Sequence, residues 1–209
     1  MFTNALDAGT LQALGVIARA RASAPFYVAG GTAAALQLGH RVSVDLDMFT
    51  PRAFEPESLR ITLAGEGVNL GDVQTSPGTL KGTLLSTNVS FFLYEYPVLE
   101  PFARYDTLAI AGLVDIALMK MTAISARGAR RDFIDLYFIL QHLGREHLFD
   151  LFVKKFPTQR MDLYHYARSL TYFEDAELEP QPRMLVPWDW DEIKRFFIKS
   201  TKNLPLNTA

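Results

Sequence analysis

The sequence predicts an α+β fold, a small β-sheet with flanking helices followed by an all-helical C-terminal part. Three observations carry this prediction. Strand-like segments alternate with helical ones from residue 26 to about 108, and from Gly112 onward successive segments all read as helices. Hydrophobic residues make up 49% of the 209 positions, enough for a sizeable core. The expected division is an α+β core over 1–108 and a helical subdomain over 109–209 that closes a cleft.

In chain order, residues 6–22 set Leu6, Leu11, Leu14, Ile17 and Ala18 on a helical period that stops before Pro25. Phe26 to Ala29 form a short β-prone run into Gly30 and Gly31, Thr32 is placed to cap a short helix through Leu38, and Gly39 suits its stop. Val42, Val44, Leu46 and Met48 then alternate with Ser43, Asp45, Asp47 and Phe49, the period of a strand with one apolar face, and Pro51 ends it. A helix is expected over 53–64, glycine-rich turns over 65–71, weaker strands over 72–75 and 79–86, and a strong strand from Val89 to Tyr96. Helices follow over 112–126, 130–142, 145–155, 159–170 and 189–199. Glu174 to Pro187, with three prolines and few apolar residues, reads as an extended loop, and Trp188 and Trp190 are expected to pack the final helix onto the body.

Composition narrows the function. With 21 Lys and Arg against 23 Asp and Glu, the net charge of −2 provides no global attraction to nucleic acid or to an anionic membrane, so any such contact is local. The absence of cysteine removes disulfides and thiolate ligands, and His40, His142, His147 and His165 lack the close spacing of a zinc site. The first 25 residues carry Asp7, Arg19 and Arg21 within an amphipathic pattern, and Asp115 interrupts the apolar run from Leu108 to Met119, which is too short for a bilayer, so neither a signal peptide nor a transmembrane helix is expected. A cytoplasmic location without a membrane partner is the expectation.

The chemistry concentrates in VAGGTAAALQLGHRVSVDLDMF, residues 28–49. On a strand, residues i and i+2 share a face about 6 to 7 Å apart, so Asp45 and Asp47 would hold two carboxylates side by side. A divalent cation relieves their repulsion, and Mg²⁺ typically takes one or two carboxylates plus waters and substrate phosphate oxygens. Metal-assisted phosphoryl or nucleotidyl transfer from an NTP suits that arrangement. Gly30 and Gly31 let the backbone approach a phosphate, the following helix presents unpaired N–H groups, and Thr32 adds a hydroxyl. Alone, the glycines describe a turn and the aspartates an exposed strand face. In this order, with Arg41 and Ser43 between them, they describe a phosphate cradle beside a metal clamp.

The stretch GGTAAALQLGHRVSVDLDMF resembles the first motif of the nucleotidyltransferase-fold AbiEii/AbiGii toxin family. DIALMKMTAISARGARRDFIDLYFIL, residues 115–140, is similar to that family's second block, and SLTYFEDAELEPQPRML, residues 169–185, to the C-terminal segment of its shorter members. The resemblance implies a nucleotidyltransferase-like small mixed sheet and a helical C-terminal part. It also implies an RNA acceptor such as tRNA for some members, and an antitoxin partner. Carried over by position, Gly31 and Thr32 match the phosphate turn, Asp45 and Asp47 the metal ligands, Lys120 the lysine of the helical block, and Asp132 and Asp135 its carboxylates. Lys120 would meet the triphosphate as a point charge, and Arg130 and Arg131 would hold phosphate bidentately.

One position departs from the fold's pattern. The third carboxylate, expected on the strand NVSFFLYEYP, aligns with Ser90, a poor Mg²⁺ ligand, and Glu95 falls on the opposite face. That leaves a one-metal or weakened enzyme, or a catalytically weak nucleotide-binding or protein-interaction module. Phe91, Phe92, Tyr94 and Tyr96 on the same strand are candidates for stacking on a base, although core packing accounts for aromatics there equally well.

Overall fold

The structure is a computed structural model that describes residues 1–144, 148–157 and 163–201. Its centre is a seven-stranded mixed sheet: β1 (Tyr27–Val28), β2 (Asp45–Thr50), β3 (Gly71–Ser76), β4 (Thr79–Leu84), β5 (Thr87–Leu93), β6 (Ala103–Tyr105) and β7 (Leu108–Ile110), in the order β3-β4-β5-β2-β1-β7-β6. β2 pairs in parallel with β5 and antiparallel with β1, while β4 joins β5 through a tight antiparallel hairpin. β7 runs parallel to β1 and straddles the expected boundary at residue 108.

The helices are α1 (Ala8–Arg19), α2 (Gly30–Leu38), α3 (Pro56–Gly65), α4 (Leu113–Arg127), α5 (Arg130–Leu143), α6 (Leu148–Lys155), α7 (Leu163–Ser169), α8 (Glu174–Leu178) and α9 (Trp190–Thr201). Asp7 caps α1 by accepting from the Thr10 N–H at 2.6 Å, and Gly39 and Gly128 end α2 and α4 in the left-handed conformation that glycine adopts without penalty. Ala33, Ala34 and Ala35 are fully buried, and these small side chains let α2 lie close against α4 and α5.

Alternation along the strands separates core from cleft. Leu46 and Met48 of β2, Leu80 and Leu84 of β4, and Val89 and Phe91 of β5 are buried on the face that α1 and α3 cover. The opposite face carries Asp45, Asp47, Ser90 and Lys81 and forms one side of a cleft; α4 and α5 form the other. Trp190 packs edge-on against Phe133 and Phe173, each at 6.0 Å, and so docks the start of α9 onto α5.

Three sequence expectations shift. β2 begins at Asp45 rather than Val42, because residues 41 and 43 make isolated bridges to Met184 and Leu6. Ser43 is accordingly buried and Val44 is 53% exposed, the reverse of the expected alternation there. The segment 174–187 is not all loop: α8 occupies its start, held by Arg130, whose guanidinium donates to the carbonyls of Ala176 (2.8 Å) and Glu177 (3.0 Å). The expected helix starts at 145 and 159 lie outside the described residues.

Candidate active site

The cleft between the sheet and α4–α5 has a volume of about 890 Å³. Its floor is set by strand register. Asp45 lies beside Asn88, and Asn88 beside Thr83; Asp47 lies beside Ser90, and Ser90 beside Lys81; Phe49 lies beside Phe92, and Phe92 beside Thr79. Paired residues on neighbouring strands share a face, so β2, β5 and β4 present three transverse rows. One is polar, one charged and one led by aromatics. The Asn88 side-chain amide donates to Asp45 at 3.0 Å, and the Ser90 hydroxyl donates to Asp47.

Asp47 is the strained group of the floor. Burial is the largest influence raising its carboxyl above the ordinary range, and the negative charge of Asp45 adds to it. Lys120, Arg127 and the Ser90 hydroxyl pull in the other direction without offsetting the rise. Asp47 also packs against Gly30, whose φ of +66° begins α2 in a conformation that disfavours side chains. Ala29 leads into α2 with no side-chain cap, which leaves the first N–H groups of that helix facing the cleft next to Asp47.

Opposite the floor, α4 and α5 carry a buried charge network. Lys120 bridges Asp132 Oδ1 (2.7 Å) and Asp135 Oδ2 (2.6 Å), one helical turn apart on α5. Arg127 donates to Asp132 through Nε at 2.7 Å and Nη2 at 3.1 Å. Arg41 clasps Asp135 with Nε at 2.6 Å and Nη2 at 2.8 Å, and His40 Nε2 adds a contact at 2.8 Å. Burial would raise the Asp135 carboxyl, but the attraction of Arg41 and Lys120 and the hydrogen bonds from His40 and Arg41 hold it well below the usual carboxylate range. Asp132 is lowered in the same way: Lys120 and Arg127 overcome its desolvation. Three cations against two carboxylates leave the network positive toward Asp45 and Asp47.

The residues singled out in the sequence take different places here. Gly30, Gly31, Thr32, Ser43, Asp45, Asp47, Lys120, Arg131 and Asp132 all line the cleft. Thr32 is only 2% exposed, and its hydroxyl donates to the Asp45 carbonyl while Ser43 Oγ sits 2.9 Å away, so the two side chains brace β2. Asp135 lies behind the wall, fully buried, and acts there through Arg41 and Lys120. Arg130 turns away to α8 and stacks over Trp190 at 5.3 Å, whereas Arg131 lines the cleft together with Arg41 and Arg127. Gly31 has its own steric reason: a Cβ there would collide with the Arg41 guanidinium. Phe91 is core, in edge contact with Phe26 at 5.1 Å, and Tyr96 packs on Phe156 at 4.8 Å, whereas Phe92 and Tyr94 line the cleft. Glu95 is exposed past the end of β5, which leaves Ser90 beside Asp47.

Sequence reasoning passed over His40, Lys81, Asn88 and Arg127. Lys81 has a signal in the sequence, because it occupies a cleft-facing position of the expected 79–86 strand; Arg127 falls just past the end of the helix expected over 112–126. Among the described residues no three or more His, Asp or Glu side chains are grouped to hold a metal. No helix among them is long and apolar enough to cross a membrane.

No family model matches the chain. It is 37% identical over 182 residues to an uncharacterized protein of Aquifex aeolicus (strain VF5), aq_aa25, an alignment covering 85% of this chain and 86% of that one. Among solved structures it is similar to a Helicobacter pylori protein provisionally assigned as a nucleotidyltransferase, with TM-score 0.56, 18% identity and 91% of each chain covered. It is also similar to JHP933 from Helicobacter pylori, with TM-score 0.51, 16% identity, and 91% of this chain and 88% of that one covered. At these identities the likeness establishes the nucleotidyltransferase fold alone.

Proposed function

The chain belongs to the family of the Aquifex aeolicus protein aq_aa25, and from that premise and its fold we propose that it transfers a nucleotidyl group from an NTP to a hydroxyl acceptor in a Mg²⁺-dependent reaction. The observation that carries this reading is the pair Asp45 and Asp47, set side by side on the cleft floor in front of the uncapped N-terminus of α2. Two carboxylates so close, one of them raised by burial and by its neighbour, form a donor set that suits a hard divalent cation, and Asp45 and Asp47 would hold it. Bound there, Mg²⁺ supplies positive charge to the triphosphate and to the departing pyrophosphate.

The chain's own groups supply the rest. The first N–H groups of α2 are aimed where phosphate oxygens would lie. Lys120, fixed by Asp132 and Asp135, and Arg127, fixed by Asp132, contribute charge from the facing wall without having to reorganise. Arg131 is exposed at the cleft and free to reach phosphate. Transfer forms a bond from the acceptor oxygen to the α-phosphorus and breaks the bond to pyrophosphate. RNA, tRNA included, is the acceptor class we favour, and the resemblance to AbiEii/AbiGii toxins extends the proposal to a toxin role with an antitoxin partner.

The neutral side chains Ser90 and Asn88 favour a second reading, a nucleotide-binding or interaction module of the same fold without efficient transfer. Calorimetric titration of ATP, GTP, CTP and UTP with Mg²⁺ into the protein and into the Asp45→Ala/Asp47→Ala variant is the first test. Metal-dependent binding lost in the variant supports the site, and labelled NTP with tRNA then separates transfer from binding alone. Equal binding by both proteins would sink the Asp45/Asp47 clamp.

A further inference from the structure

The row Asp47, Ser90, Lys81 crosses three adjacent strands on the cleft face, and its far end is a cation. Lys81 lies on β4, an interior strand with β3 outside it, so its charge is not there to shield a sheet edge. Its side chain is exposed in the cleft and sits over the Phe92 ring, 5.6 Å from the centroid. Among the described residues it has no ion pair and no hydrogen bond. Lys120 and Arg127, by contrast, are each tied to buried carboxylates.

Position gives this cation a use. Two strand spacings put the β4 backbone about 9 to 10 Å from that of β2, and Lys81 lies over Phe92 with no ion pair to Asp47 among the described residues, which leaves its ammonium group placed for a polyanion lying over Ser90. A triphosphate anchored at Asp45, Asp47 and the start of α2 would have that polyanion there. With the neutral Asn88 and Ser90 beside them, Asp45 and Asp47 provide carboxylates for one cation only, so further positive charge along the phosphates would come from the protein's own cations.

We propose that Lys81 is a substrate-contacting residue that binds the polyphosphate of the NTP, supplying from β4 the positive charge for which the floor lacks a second carboxylate-bound cation. The inference rests on the nucleotide-binding reading of the cleft and deepens it, since it makes the site a one-cation site completed by an ammonium group.

The test compares the full-length protein with its Lys81→Met and Lys81→Arg variants, titrated calorimetrically with MgATP, with adenosine, and with inorganic tripolyphosphate in EDTA. Methionine keeps the apolar stem over Phe92 and removes only the charge. The expected result is about a tenfold loss of affinity for MgATP and for tripolyphosphate in Lys81→Met, the scale of one charge-assisted phosphate contact. Arg should restore most of the loss, adenosine binding should be unchanged, and so should the thermal unfolding midpoint. Wild-type affinity of Lys81→Met for both phosphate ligands would overturn the role of Lys81 while leaving the nucleotide site standing. Failure of the wild-type protein to bind MgATP at all would remove both.

Discussion

Arg41 and Asp135 meet in a bidentate pair, Nε to Oδ1 at 2.6 Å and Nη2 to Oδ2 at 2.8 Å, although 94 residues separate them. Arg41 is 5% exposed and Asp135 0%, so the pair is buried and joins the segment leading into β2 to the middle of α5. Replacing Asp135 by Ala leaves Arg41 and His40 without their acceptor, and loss of one partner of a buried pair costs about 3–5 kcal/mol. Urea denaturation should show that loss. Replacing both partners together, as Arg41→Met/Asp135→Leu, should recover part of it, because the Arg41 charge is then no longer orphaned and Lys120 keeps Asp132, while His40 still lacks its acceptor; a double variant as unstable as Asp135→Ala would refute the pairing argument.

Acid stability follows from the same network. Asp132 and Asp135 are both held below their ordinary carboxyl values, and an unfolded aspartate titrates near about pH 3.9. A carboxylate with a depressed native pKa contributes stability that is present above the unfolded value and is lost as pH falls through the folded one. The contribution of these two residues should therefore be constant from neutral pH to about pH 5 and decline only below about pH 4. Urea midpoints of the wild-type protein and Asp135→Asn, measured from pH 7 to 3, should converge in that acid range and nowhere above it.

The Asp-x-Asp strand, the glycine turn and the helical second half were legible in the sequence because period and punctuation are local signals. The Arg41 and His40 partners of Asp135 were not, because they reach it from the other half of the chain and no periodicity encodes a contact at that separation. Ser43 and Val44 depart from the expected faces for a related reason: alternation assigns faces only where a strand is paired, and here residues 41 and 43 make isolated bridges instead. Arg130 and Arg131 are adjacent and chemically equal in sequence. A 100° step around α5 sends one to α8 and the other to the cleft, and only the position of α8, in a proline-rich stretch, decides which.

Asp47 reverses the acid argument. Its carboxyl is raised by burial and by Asp45, so in its charged form it opposes folding at neutral pH, and stability is regained as pH falls through its raised value. Asp47→Asn keeps the shape without the charge. We expect its thermal midpoint at pH 7 to exceed that of the wild-type protein, against the usual direction for substitutions, while Mg²⁺-dependent nucleotide binding disappears. The stability advantage should shrink as the pH is lowered. A midpoint below that of the wild-type protein at pH 7 would mean that the Ser90 hydrogen bond, Lys120 and Arg127 outweigh the burial of Asp47.

Gly31 tests whether the glycine turn serves the ligand or the network. A methyl group at Gly31 would collide with the Arg41 guanidinium, whose Nη2 is bonded to Asp135, so Gly31→Ala should loosen the buried pair as well as crowd the start of α2. If the collision is the cause, removing the guanidinium should relieve it. In a double-mutant cycle, Gly31→Ala should cost less stability in the Arg41→Met background than in the wild-type protein, with a coupling of about 1–3 kcal/mol for groups in direct contact. Additive losses would mean that Gly31 is needed for close approach of a phosphate rather than of Arg41. In that case Gly31→Ala would weaken tripolyphosphate binding with no change in how strongly Arg41 is coupled to Asp135.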